Sequence, residues 1–168
     1  MTIKAGDRLP DGTLTEYVET ERPGCTIGPN PVQVSEAAKG KRIVIFGVPG
    51  AFTPTCSAKH VPGYVENYSK LQAKGVDEIW CISVNDAFVM NAWGKTLDVG
   101  TKVRMMADGS AEYTRKLGLE MDLNTRGMGV RSQRYSMVVQ DGVVKKVSVE
   151  QPGKFEVSGA EPMLDDLT

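Results

Sequence analysis

Residues 41–64 read KRIVIFGVPGAFTPTCSAKHVPGY. The opening KRIVIFGV is a short, β-branched apolar run, the pattern of a buried strand. PGAFTP follows as a turn, because Pro and Gly interrupt both helix and strand there. A helix comes next. Val61, Tyr64, Val65, Tyr68 and Leu71 recur at helical spacing and give one apolar face, and Gly75 suits the stop. Pro62 lies inside that segment and is expected to kink the helix or divide it in two. Cys56 therefore falls where a strand and a tight turn give way to a helix. The first N–H groups of a helix lack intrahelical partners, and the helix dipole adds partial positive charge. A thiol placed there is favoured as the thiolate, the nucleophilic form. Position alone leaves Cys56 open between nucleophile and buried small hydrophobe.

Outward from this stretch the pattern repeats. EIWCISV (78–84) reads as a second buried strand. Asn85 or Asp86 can cap a helix that carries Phe88, Val89, Ala92 and Trp93. KVRMMA (102–107) is a third strand, and Ser110 can cap a short helix through Leu117. TRGMGVRSQR (125–134) is a Gly- and Arg-rich connection. YSMVVQ and VVKKVSV flank Asp141-Gly142, a strong hairpin signal. GAEPMLDDL (159–167) suits a final helix. Upstream, ERPGCTIGPNPVQ (21–33) reads as a surface loop, punctuated by Pro and Gly. Strands alternate with helices, and a hairpin and a helix finish the chain. That order predicts an α/β fold, a mixed sheet flanked by helices on both faces, with the element order of a thioredoxin-like fold. One domain spanning residues 1–168 is expected.

Composition removes other classes. The chain has 168 residues, 40% hydrophobic and 24% charged, with 20 basic and 21 acidic side chains. A net charge of −1 gives no basic footprint for nucleic acid, and Lys145 and Lys146 suit a solvated strand face. MTIKAGDRLPDG at the N-terminus shows no leader pattern, and Ile43–Val48 is too short to cross a bilayer, so a soluble cytoplasmic protein is expected. Cys25, Cys56 and Cys81 form no C-x-x-C pair, and His60 is the one histidine, too few ligands for structural zinc. TRGMGVR contains G-x-G but lacks the dinucleotide fingerprint. No metal and no cofactor are expected.

Pro49-Gly-Ala-Phe-Thr53-Pro-Thr-Cys56 has the form P-x-x-x-T-x-x-C, which resembles the active-site signature of the peroxiredoxins. VPGAFTPTCSAKHVPGYV, DEIWCISVNDAFVMNAWG, VRMMADGSAEYTRKLGL and RYSMVVQDGVV are similar to the type II, or peroxiredoxin-5-like, subfamily in its bacterial one-cysteine form. The resemblance runs from about Gly6 onward. It implies that Cys56 is the peroxidatic cysteine, that the Thr53 hydroxyl bonds thiolate and peroxide, and that Pro49 shields the site. It also implies that Arg134 is the catalytic arginine, with Arg131 as rival. Gly50 and Phe52 would line the pocket. His60, one helical turn after Cys56 on the same face, reads as a polar pocket residue near its mouth, the alternative being a cysteine–histidine nucleophile pair.

The chemistry suits these types. Arginine stays charged and offers several fixed donors, and threonine both donates and accepts. Lowering a cysteine pKa from about 8.5 to about 6 raises the thiolate fraction at pH 7 only some thirtyfold. Most of the peroxide reactivity that the resemblance implies must then come from donors placed where charge develops. The reset step is also implied by resemblance. Animal members carry a resolving cysteine near the C-terminus, and Ser158 stands there in this chain. Cys81, within a strand, reads as a buried inert thiol, and Cys25, in the Gly/Pro loop, as a regulatory or resolving candidate. The expectation is a one-cysteine peroxidase acting on hydrogen peroxide or organic hydroperoxides. Its reductant would be glutathione with glutaredoxin, thioredoxin being the other option. A homodimer is implied, with Phe52, Trp93 and Gly127–Val130 as interface candidates, Phe52 and Trp93 reading equally as core residues. Two competing readings are a thiol–disulfide oxidoreductase, which would need the cysteine that Thr53 replaces, and a chaperone or peroxide-signal relay.

Overall fold

The apolar run at 43–48 becomes the inside of a seven-stranded sheet. In the computed structural model, which describes residues 1–167, the strands are β1 (Thr13–Val18), β2 (Gly28–Gln33), β3 (Arg42–Val48), β4 (Glu78–Ser83), β5 (Arg104–Ala107), β8 (Tyr135–Gln140) and β9 (Val143–Val149). Their spatial order is β2-β1-β5-β4-β3-β8-β9, and a separate hairpin pairs β6 (Glu120–Leu123) with β7 (Gly129–Ser132). β3, β4 and β5 run parallel; every other pairing is antiparallel.

Alternation along the central strands builds two cores. Val44, Phe46 and Val48 of β3, with Ile79 and Cys81 of β4, face one side. Ile43 and Ile45, with Trp80 and Ile82, face the other. The first core is covered by α2 (Val61–Glu66), α3 (Tyr68–Ala73), α4 (Ala87–Thr96) and α6 (Ala160–Asp166). The second is covered by α1 (Val34–Ala37) and α5 (Glu112–Leu117). This is the mixed α/β, thioredoxin-like arrangement expected from the sequence. The hairpin signal is also met: Asp141 and Gly142 both hold positive φ, 48° and 79°.

Several local readings change. The stretch 21–33, expected as a loop, ends in β2. Pro29 and Pro31 are tolerated because β2 is an edge strand, where a missing N–H need not break the ladder. β6 and β7 emerge from a region expected to be irregular. Ser110 does not cap α5; the buried Asp108 carboxylate accepts the Tyr113 and Thr114 N–H groups instead. Asp86 does cap α4, accepting from the Val89 N–H at 2.8 Å. The buried face of α4 is Ala87, Met90, Trp93 and Gly94, whereas Phe88 is 64% exposed. Trp93 is fully buried. It is a core residue, which removes it from the interface candidates. The segment after Cys56 is divided as Pro62 suggested, but into three pieces: a π-helical turn Cys56–His60, then α2, then α3, with the second break at Asn67. Pro62 sits in the first turn of α2, where its missing N–H costs nothing. Among the described residues, no helix is long and apolar enough to cross a membrane.

Candidate active site

The loop that leaves β3 is pinned before the helix begins. The Ala51 N–H donates to Asn85 Oδ1 at 3.0 Å, and the Ser83 hydroxyl donates to the same oxygen at 2.6 Å. Asn85 thus fastens the loop to the end of β4. Phe52 adopts φ +63°, unusual for a bulky residue, and its ring stands 53% exposed, 6.4 Å centroid to centroid from Trp93. The Thr53 hydroxyl donates to the Gly50 carbonyl at 2.7 Å. The Ser57 N–H then reaches back to the Thr53 carbonyl at 3.0 Å, which closes the first helical turn. Cys56 opens the π-helical turn and is fully buried. The Ser57 hydroxyl accepts from Trp93 Nε1 at 2.9 Å and ties this turn to α4.

Arg134 enters from the link between β7 and β8. Its Nη2 donates to Cys56 Sγ at 3.1 Å, and its Nη1 donates to His60 Nδ1 at 2.8 Å. The guanidinium carbon lies 5.9 Å from the Phe155 ring centroid, a cation–π contact. Arg131, the rival, makes different bonds: Nη1 to the Pro49 carbonyl at 3.2 Å and Nε to the Met128 carbonyl at 2.9 Å. Arg134 is the arginine on the sulfur, and Arg131 braces the loop that carries Pro49.

His60 is not near a pocket mouth. It is fully buried between Phe46, Tyr64 and Phe155. The wide π turn and the tight loop above it fold it inward. Burial, and then the adjacent Arg134 charge, push its pKa down to about 3, so the ring is neutral at working pH. Its Nε2 is 3.0 Å from the Ser158 carbonyl oxygen, which also accepts from the Tyr64 hydroxyl at 2.8 Å.

Ser158, at the position where a resolving thiol was sought, is buried and bonded. Its hydroxyl and N–H both donate to Glu150 Oε2, at 2.7 and 2.8 Å. Burial alone would raise the Glu150 pKa, but the N–H of Glu156, the Ser158 hydroxyl and N–H, and the N–H of Val157 outweigh it and hold the carboxyl below its ordinary value. Glu150 thereby shapes the 150–158 segment over the site. Beside it a cavity of about 360 Å³ opens between Pro49, Thr55, Arg134, Glu150, Pro152 and Lys154.

Of the residues singled out in the sequence, Pro49, Gly50, Thr53, Cys56, His60 and Arg134 converge here, and Phe52 faces outward on the same loop. Asn85, Glu150 and Phe155 were not singled out. Only Asn85 left a signal, as a possible cap. Phe155 acts through His60, far away in the chain, and through Arg134. Glu150 acts through backbone N–H groups six to eight residues downstream, which follow no residue pattern. Cys81 lies on β4 in the same core as Cys56. Burial pushes its thiol well above the ordinary range, Cys56 adds to this, and Arg134 opposes it. Cys25 lies in the β1–β2 link, partly exposed.

Fold and site together define a thioredoxin-like protein with a single cysteine, in place of C-x-x-C, at the start of its first long helical segment. The Redoxin family model matches residues 4–164. Peroxiredoxin-2B of Arabidopsis thaliana is 49% identical over 165 residues, 98% of each chain. The solved structure of reduced Prx3 from Vibrio vulnificus in complex with hydrogen peroxide superimposes with TM-score 0.92 at 47% identity, covering 99% of this chain and 100% of that one. A Burkholderia cenocepacia chain, provisionally described as a thioredoxin reductase, is 61% identical with TM-score 0.98, covering 100% of this chain and 99% of that one. The chain belongs to the Redoxin family, as a type II peroxiredoxin. It is a thiol peroxidase, an antioxidant oxidoreductase.

Proposed function

We propose that Cys56 is the peroxidatic cysteine and that the protein works as a one-cysteine enzyme reset by an external thiol. The observation that carries this reading is the 3.1 Å bond from Arg134 Nη2 to Cys56 Sγ. The Cys56 thiolate attacks one peroxide oxygen. An S–O bond forms, the O–O bond breaks, and the sulfur loses two electrons to become a sulfenic acid. The departing oxygen takes both bonding electrons and a proton and leaves as water or an alcohol. Arg134 donates toward the charge that develops on this oxygen as well as to the sulfur. Thr53 spends its proton on the Gly50 carbonyl, so its lone pairs are free to accept from the peroxide. Pro49 and Gly50 shield the site, and the cavity beside Arg134 accommodates the organic part of a hydroperoxide.

Resolution by a second thiol of the same chain is poorly supported by the fold. The β1–β2 link lies at the N-terminal ends of β3, β4 and β5, because β1 runs antiparallel to β5. Cys56 follows the C-terminal end of β3. Cys25 and Cys56 therefore sit at opposite rims of the sheet, far beyond the roughly 7 Å Cα separation a disulfide allows. Cys81 is buried, with its thiolate disfavoured. An external thiol condenses with the sulfenic acid to give a mixed disulfide and water, and a second thiol releases Cys56. Glutathione with glutaredoxin is the reductant in this reading, which suits a reducing compartment such as the cytoplasm. A homodimer belongs to the same reading, with exposed Phe52 and the 127–130 stretch as its contact surface.

The test is a peroxidase assay with hydrogen peroxide and an organic hydroperoxide, comparing glutathione/glutaredoxin with thioredoxin, in wild type and Cys56→Ser. Activity with glutathione/glutaredoxin that Cys56→Ser abolishes is expected. Turnover that survives Cys56→Ser, or that runs only on thioredoxin, overturns the corresponding half of the reading.

A further inference from the structure

We infer that His60 is a positioning residue: a neutral ring, held in its Nε2–H tautomer by the Ser158 carbonyl, fixes Arg134 against Cys56. The inference rests on the reading that Arg134 acts at Cys56, and it adds what holds Arg134 there. The tautomer follows from bonding capacity. A guanidinium has donors and no acceptor, so Nδ1 at 2.8 Å from Arg134 Nη1 must present a lone pair. The Ser158 carbonyl only accepts, so Nε2 at 3.0 Å must carry the proton. Either other state of the ring would press an N–H against a cation.

The guanidinium is thus set from three sides: Cys56 Sγ, His60 Nδ1 and the Phe155 ring. Two of these three depend on the 150–158 segment, which supplies Phe155 and the Ser158 carbonyl. Glu150 organises that segment by accepting from Glu156, Val157 and Ser158. The titratable and charged groups around His60 are Cys56, Tyr64, Arg134 and Glu150. Of these, only Arg134 donates to the imidazole.

His60 is the sole histidine, so its ring nitrogens can be read in the whole enzyme without assignment. In ¹⁵N-labelled wild type, long-range ¹⁵N–¹H spectra are expected to show a neutral ring protonated at Nε2 at pH 7. A proton on Nδ1, or an imidazolium, would overturn the inference. Two variants give the kinetic arm. His60→Asn places Oδ1 where Nδ1 stands and keeps an acceptor for Arg134. His60→Phe keeps a ring and removes the acceptor. For the peroxide step, kcat/KM is expected to fall on the order of tenfold in His60→Phe and clearly less in His60→Asn. Equal losses, or no loss in His60→Phe, would overturn it, because packing alone would then account for the residue. Should His60→Phe not fold, the spectrum still decides. The underlying reading fails differently: Arg134→Gln would keep the wild-type rate, whatever tautomer His60 shows.

Discussion

At the scale of single residues, Arg134 and Cys56 are separated by 78 positions and joined by one bond of 3.1 Å. Arg134→Ala removes the charged donor from the sulfur and, in the proposed mechanism, from the departing oxygen. The kcat/KM for peroxide is expected to fall by at least about tenfold. The rate of Cys56 alkylation at pH 7 is expected to fall less, since alkylation gains nothing from a donor aimed at a peroxide oxygen. Equal losses in stopped-flow peroxide reduction and in alkylation would contradict this. His60 carries a second prediction. Its folded-state pKa is depressed to about 3, against about 6.5 when unfolded. Between those values the unfolded chain binds the extra proton. Stability is therefore full above about pH 6.5 and is lost as pH falls, by up to about 1.4 kcal/mol per pH unit from this group. Urea denaturation from pH 7 to pH 4 is expected to show this slope in wild type and a shallower one in His60→Asn. Pro49, Thr53 and Cys56 could be singled out together because they share one short motif, P-x-x-x-T-x-x-C, whereas Arg134, 78 positions from Cys56, was singled out only through the family resemblance, with Arg131 as rival. His60 was misplaced because its setting depends on Ser158, 98 positions away, and no local pattern reports such a contact.

Among the elements, the pairing of β3 with β8 places Arg134 over Cys56. Gly47 pairs with Tyr135 in that ladder, and a Cβ on Gly47 would overlap the Tyr135 ring. Tyr135 is fully buried. Gly47→Ala is expected to cost about 1–3 kcal/mol as overpacking, a fall in Tm of several degrees by calorimetry. It is also expected to lower peroxidase activity, since Tyr135 follows Arg134 directly in the chain and its displacement shifts the backbone that carries Arg134. Unchanged Tm and activity would show that the strands part freely. The central strands and α4 were legible from their periodicity. β2, β6 and β7 were not, because Gly and Pro, read as loop formers, are admitted at an edge strand and beside a small hairpin. The π-helical turn was equally invisible, since its extra residue leaves no mark on the spacing of apolar positions downstream.

For the whole molecule, the parallel centre of the sheet has its N-terminal strand ends at one rim and its C-terminal ends at the other, which separates Cys25 from Cys56, while Cys81 stays within β4. One equivalent of peroxide without reductant is expected to add one oxygen to the intact mass, and trapping with dimedone should label Cys56. A loss of two mass units, the signature of an internal disulfide, would overturn the one-cysteine cycle.

The sheet stops at seven strands for a reason that bears on how copies of this chain treat one another. On β2, Pro29 and Pro31 lie two apart, so their nitrogens point to one side, and the side paired with β1 is the one that needs N–H donors. The outer rim is left with two positions that cannot donate. On β9 the opposite rim carries Lys145 and Lys146, and Lys146 is drawn to Asp166 at 2.6 Å. Neither rim is a template for an eighth strand, the usual route from an open sheet to fibrous aggregates. Replacing both prolines by valine is expected to leave the peroxidase intact and to make the protein scatter light on warming, because the guard lost is one between molecules.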